Sequence, residues 1–313
     1  MKKLVINADD CGADEARNAG IFEAIKKGVV TGVSILPNGP AFDDAMQQIK
    51  SINSKKVSWG VHINLSEGKP LSSGLHILTE PDGRFHGKSA AIKIFASRLP
   101  NRGNAPTGPL LNEGWNKIGS CDKKSSSRTA LEEEISVEID AQIKKLMDAG
   151  VFVTHIDSHH HIHVFPAVIE TAIKIAQKHR IPWIRMPEEA KPSYINLDIS
   201  EEISAEAGLF SKYAAEARTR IETSGMRTAN HFRGLYLKGM LSLSLVEELL
   251  LTLHDGLTEF MTHPGHANTG HLSGPFSAFS THDRERELAT LLHPDFPLLL
   301  KRSGVTLTPF PEI

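Results

Sequence analysis

Apolar positions in this chain gather into short runs separated by longer amphipathic stretches. Leu4-Val5-Ile6 is a compact run that enters Asn7-Ala8-Asp9-Asp10, the pattern of a buried strand ending in polar residues. Over 14–27, Ile21, Ala24 and Ile25 recur on one helical face, Asp14 can cap the start and Gly28 stops it. Residues 29–36 are rich in β-branched side chains and close on Pro37-Asn38-Gly39, so a strand and a turn follow. A short helix over 41–49 and a strand over 57–65 come next. The period then dissolves from about 66 to 128 into Gly, Pro, Ser and Asn, with a short helix near 90–98.

Regularity returns with a charged amphipathic helix over 131–149, ended by Gly150, and a strand over 151–157. Pro166 opens a helix to about 178, followed by a strand over 181–186. Residues 187–228 form a second irregular region with helical pieces. Strands over 232–237, 259–262 and 305–307 then alternate with helices over 242–254 and 282–302. Eight strands, nearly all separated by helices, predict an α/β fold with a parallel sheet. The length of 313 residues favours a (β/α) barrel, irregular and seven- or eight-stranded, over an open sheet. No internal repeat or boundary divides the chain, so one domain over 1–313 is expected, with insertions at about 66–128 and 187–228.

Composition narrows the function. With 35 Lys+Arg against 37 Asp+Glu the net charge is −2, which argues against a nucleic-acid partner. No apolar run reaches the roughly 18 residues of a membrane span, and the start lacks the apolar core of a secretory signal. Cys11 and Cys121 form no paired motif. A cytoplasmic protein with no membrane partner is expected, and the pattern is compatible with a homo-oligomer. The unusual number is histidine: 16 in all, five of them between His155 and His163.

In parallel α/β folds ligands bind at the carboxyl ends of the strands. Asp9 and Asp10, His62, the run from His155 to His163, and His263 all fall there, so residues remote in sequence converge on one rim. Adjacent carboxylates at a strand end cannot share a direction, so one suits a metal and the other a proton from water. An isolated Asp-Asp more often caps a helix, but Asp14 is better placed for that job. In His155-Ile156-Asp157-Ser158-His159-His160-His161-Ile162-His163, an extended chain would put alternate residues on one polar face. A tight turn after Ser158 would instead set His159 and His163 one helical turn apart. Imidazole is a common metal ligand, and a neighbouring carboxylate can fix its tautomer. His263 at a strand end suits a general acid. Arg185 can hold a carboxylate or contact substrate. No nucleophile elbow, P-loop or dinucleotide glycine motif is present.

Four segments resemble the YdjC-like carbohydrate deacetylases, which include the chitooligosaccharide deacetylases. They are Asn7-Ala8-Asp9-Asp10-Cys11-Gly12, Gly60-Val61-His62-Ile63-Asn64-Leu65, the histidine-rich run, and Thr262-His263-Pro264-Gly265. The resemblance implies a barrel of the glycoside hydrolase/deacetylase type and one divalent metal ion, Zn²⁺ or Mg²⁺, held by Asp10, His62 and His159. It further implies Asp9 as the base and His263 as the acid. Cys11 stands where the family usually has Phe, and the two insertions exceed those of the shorter members.

The reading is thus a metal-dependent hydrolase that removes acetyl groups from an N-acetylated sugar, uncharged or singly phosphorylated. His161, His163, Arg185 and Trp115 are its candidate substrate contacts. One rival is hydrolysis of another bond such as a phosphoester; another is a non-catalytic metal- or glycan-binding protein, which would have no need of Asp9.

Overall fold

The computed structural model describes residues 1–52, 54–96, 126–193, 199–267, 275–276 and 282–311. Its strands are β1 Lys2–Cys11, β2 Gly32–Ile35, β3 Ser58–Ile63, β4 Val153–Ser158, β5 Trp183–Ile184, β6 His231–Arg233, β7 Gly256–Thr262 and β8 Val305–Leu307. Helices α1 Glu15–Lys26, α2 Phe42–Ile49, α3 Lys88–Ala96, α4 Ser126–Asp148, α5 Pro166–Lys178, α6 Glu201–Thr223, α7 Leu243–Thr252, α8 His282–Leu291 and α9 Phe296–Arg302 lie between them. Asp14 caps α1 as its position predicts, accepting from the Arg17 N–H at 2.8 Å. Pro166 stands at the start of α5.

Every ladder is parallel, in the order β5-β4-β3-β2-β1-β7-β6, with β8 beside β1. β8 pairs with Lys2–Leu4 and β2 with residues from Asn7 to Cys11, so two strands share one flank of β1. The sheet is open and curled rather than closed by continuous ladders. Its path ends at β5 and β6, only two and three residues long, and a single bridge from Trp183 to Arg227 stands beside the opening.

The sheet is buried on both faces, as parallel sheets are. Outside, α4 lays Leu131, Ile135, Ile139 and Ile143 against it at four-residue spacing, and α5 adds Val168, Ile169, Ala172 and Ala176. Inside, the layers differ sharply. At the amino end of the strands Val5, Trp183, Ala229, Leu257 and Phe310 make a small apolar plug. One step up, the inward residues are Asn7, Ser34, His155, Asp157, Arg185 and Glu259, all buried and all polar.

Three expectations change. The barrel favoured over an open sheet is instead an open, curled parallel sheet, barrel-like but not closed. The second irregular region contains the 23-residue helix α6, whose buried face is largely alanine and therefore gave little apolar contrast: Ala207, Phe210, Tyr213, Ala214, Ala217 and Ile221. The helix expected over 282–302 is two helices, because Pro294 lacks the N–H a continuous helix needs. No helix among the described residues is long and apolar enough to cross a membrane.

Candidate active site

The carboxyl ends of β1, β3, β4 and β7 meet at a cavity of about 500 Å³, within the roughly 300–1,000 Å³ of small-molecule sites. Asp9, Asp10, His62, His159, His161 and His263 all line it. Local backbone explains how neighbours in sequence are aimed apart. β1 is irregular between Ala8 and Cys11, and Asp10 sits at φ 64°, a left-handed conformation that turns its side chain away from that of Asp9. After β4 the chain enters a short 3-10 turn from His159 to Val164, with His160 at φ 55° and His161 at φ 51°. A turn does follow Ser158, but left-handed His160 and His161 disperse the histidines and do not leave His159 and His163 stacked one helical turn apart.

Asp10 Oδ1 lies 3.3 Å from His62 Nε2 and 2.9 Å from His159 Nδ1. It is buried and makes no hydrogen bond. An oxygen and two imidazole nitrogens this close could hold a shared cation. All three donor atoms lie within 4.8 Å of one another. The set suits Zn²⁺ and accommodates Mg²⁺. His62 Nδ1 is 2.7 Å from Asp157 Oδ1, its register partner across β3 and β4, so the ring donates there and keeps Nε2 for a ligand.

Asp9 faces the other way. Its Oδ1 accepts from Asn7 Nδ2 at 2.8 Å and Arg185 Nη2 at 2.7 Å, and its Oδ2 accepts from Arg185 Nη1 at 2.6 Å. Three of about four acceptor positions are thus filled, leaving one on Oδ2, which stands 4.0 Å from His62 Nε2. Arg185 also reaches Asp157 and Glu259, both at 2.6 Å.

Charge is strongly organised. Burial would raise the Asp10 carboxyl, but His159, His62 and Arg284 together hold it well below the usual range. Burial would lower His62, yet Asp157, Asp9 and Asp10 lift it to about 10 when no cation is bound. Burial, helped by Arg284 and against the pull of Asp10, holds the His263 ring well below its ordinary value and so neutral at pH 7. Its backbone N–H donates to Glu287 at 2.5 Å, which fixes the segment. Burial also pushes the Cys11 thiol up, and that side chain packs in the core.

The other expected contacts distribute unevenly. The His161 ring lines the cavity with its edge toward Phe210 and Phe232. His163 lies behind the wall, with Nδ1 2.6 Å from Ser158 Oγ and Nε2 3.0 Å from the Arg185 carbonyl. Arg185 is likewise behind the wall, engaged by three carboxylates. Trp115 lies outside the described residues. Two neighbours of the Asp10, His62 and His159 cluster escaped the sequence reading. Glu67, just past the end of β3, places Oε2 3.5 Å from His159 Nε2, and its position at the same rim was the available signal. Arg284 on α8 donates to Asp10 Oδ2 at 2.6 Å, and nothing in a polar helix start marked it.

A family profile described as YdjC-like protein matches residues 3–302. A protein of Brevibacillus brevis named carbohydrate deacetylase is 28% identical, with 99% of each chain covered. One of the same name from Mus musculus is 26% identical, covering 97% of this chain and 93% of its own. Among solved structures, a protein of Enterococcus faecalis V583 named for cellobiose-phosphate cleavage superposes with a TM-score of 0.64. It is 25% identical over 98% of this chain and 97% of that one.

Proposed function

This chain belongs to the YdjC-like family, and on that premise we propose that it is a metal-dependent carbohydrate N-deacetylase, hydrolysing the acetamido bond of an N-acetylated sugar. The observation that carries the reading is the convergence of Asp10 Oδ1, His62 Nε2 and His159 Nδ1 beside Asp9 on the wall of one cavity. Those three residues would hold the ion, which would supply Lewis acidity to the acetyl carbonyl and the attacking water.

The remaining chemistry belongs to the chain. Asp9, oriented by Arg185 and Asn7, uses its remaining Oδ2 position to accept the proton of the attacking water. His263 enters neutral and donates a hydrogen bond toward the reacting group. It takes over the proton that Asp9 removed from the water as negative charge develops beside it, and passes that proton to the departing amine nitrogen as the C–N bond breaks. The cavity wall carries Lys88, Lys238 and Arg284 together with Glu206 and Asp283. This mixed charge suits a hydroxyl-rich saccharide of one or two units, with or without a phosphate. The site's single Asp-His-His set favours amide over phosphoester hydrolysis.

The test is acetate release from N-acetylglucosamine, chitobiose and their phosphorylated forms, beside a phosphatase assay, with wild-type protein and Asp9→Asn. Acetate release is expected to fall about 10²–10⁴-fold in Asp9→Asn, with metal content retained. Phosphate release without acetate, or an unchanged rate in the variant, would sink the mechanism.

A further inference from the structure

His62 and His159 are presented to the proposed ion in matching ways, each with a carboxylate facing its second ring nitrogen. We propose that Glu67 is a positioning residue for His159, the counterpart of Asp157 for His62, and that it fixes the ring so that Nδ1 is the ligand atom. The inference rests on the reading of Asp10, His62 and His159 as the metal set.

Three observations carry it. The His159 ring is buried, and its Nε2 has no hydrogen-bond partner, with Glu67 Oε2 3.5 Å away. With a cation between Nδ1 and Asp10, the ring keeps its one proton on Nε2, the nitrogen that faces Glu67. Glu67 is itself fixed. Its N–H donates to Asn64 Oδ1 at 3.0 Å, its carbonyl accepts from Asn64 Nδ2 at 2.8 Å, and Oε2 accepts from the Phe276 N–H at 2.9 Å. Finally, His159 is enclosed by rings, His160 with centroids 3.9 Å away and Phe276 at 5.7 Å. Phe276 holds an uncommon φ of 66°, with its N–H on Glu67 and its carbonyl accepting from Arg17. One carboxylate thus serves the ligand and the segment packed on it.

Glu67, His159 and His160 also lie close enough to hold an ion of their own. That would require His159 to bind through both nitrogens with no proton left on the ring. The positioning role needs no such deprotonation, and His160 Nδ1 is 3.0 Å from Ser66 Oγ in any case.

The experiment is a competition titration of Zn²⁺ into the chelator-stripped full chain. It compares wild type, Glu67→Ala, Glu67→Gln and Phe276→Ala, with circular dichroism and kcat and KM for each. Wild type is expected to bind one ion per chain. Glu67→Ala should bind it about 10–100-fold more weakly, with unchanged circular dichroism and a loss in kcat larger than the change in KM. Glu67→Gln still offers an acceptor to the Phe276 N–H, so it should fold even where the alanine variant does not, with a smaller loss. Equal affinity in wild type and the Glu67 variants would overturn the inference. So would two ions per wild-type chain, or a Phe276→Ala loss equal to that of Glu67→Ala. A wild-type chain that binds no ion would instead overturn the metal reading itself.

Discussion

Replacing Arg185 by Met keeps most of the side-chain volume and removes one buried positive charge. In the native fold that charge touches Asp9 through two hydrogen bonds, and Asp157 and Glu259 through one contact each, all at 2.6–2.7 Å. Breaking a buried ion pair by deleting one partner costs about 3–5 kcal/mol, because the other charge stays behind uncompensated. Three carboxylates are orphaned here, but the cost does not triple. Burial already holds Glu259 up to about 7 against the pull of Arg185, so it takes a proton first and stops counting as a charge. His62, lifted to about 10 by the same carboxylates, remains as a partial substitute. The expected loss is therefore about 3–5 kcal/mol, read as a lower urea midpoint by far-UV circular dichroism at pH 7.5. Without Arg185 the Glu259 carboxyl, already raised by burial, rises further above its unfolded value. Such a group contributes stability that is present at low pH and lost as pH rises, so the deficit should shrink at pH 5.5. A loss below about 1 kcal/mol, or one that grows on acidification, would refute the charge argument. Arg185→Lys, which keeps the charge but not the fork, should fall between the two.

Other outcomes follow from packing and protonation. A Cβ on Gly60 would stand 2.3 Å from His155 Nε2, and that ring is held by Phe310 and Thr154. Gly60→Ala should cost about 1–3 kcal/mol by urea unfolding. Gly208→Ala, on an exposed turn of α6 with no atom within 4 Å of the new methyl, should instead stabilise by about 0.5–1 kcal/mol. Burial chiefly holds His155, His160, His161, His163 and His263 below their ordinary value, to about 3 for His155 and about 4 for His163. Each binds a proton more readily when unfolded, so its stability is complete above about pH 6.5 and is lost as pH falls. Glu189, Glu259 and Glu287, raised by burial, and His62, raised by Asp157, Asp9 and Asp10, work in the opposite sense. Five against four predicts lower unfolding free energy at pH 5 than at pH 7.5. Glu189→Gln should steepen that decline, and a flat profile in the variant would contradict the assignment.

What the sequence determined by itself is whatever depends on short-range period and residue chemistry. β-branched runs and capped amphipathic stretches marked the strand–helix alternation, because alternation of two and turns of 3.6 are local properties. The same periods placed Asp9, Asp10, His62, His159 and His263 at strand ends, where imidazole beside carboxylate pointed to a candidate metal and proton site. The tertiary structure decided the partners. Asp157 sits in the histidine run, yet it serves His62, 95 residues earlier, because β3 lies beside β4 in a register that sets the two opposite. Glu67 and Arg284 join the site from a loop and a helix start, where no period predicts a direction. His163, identical in kind to His159, is turned into the wall by left-handed residues that no pattern of types reveals. Hydrogen bonds and Coulomb forces act over a few ångströms of space, and only the order and register of the strands translate sequence positions into those distances.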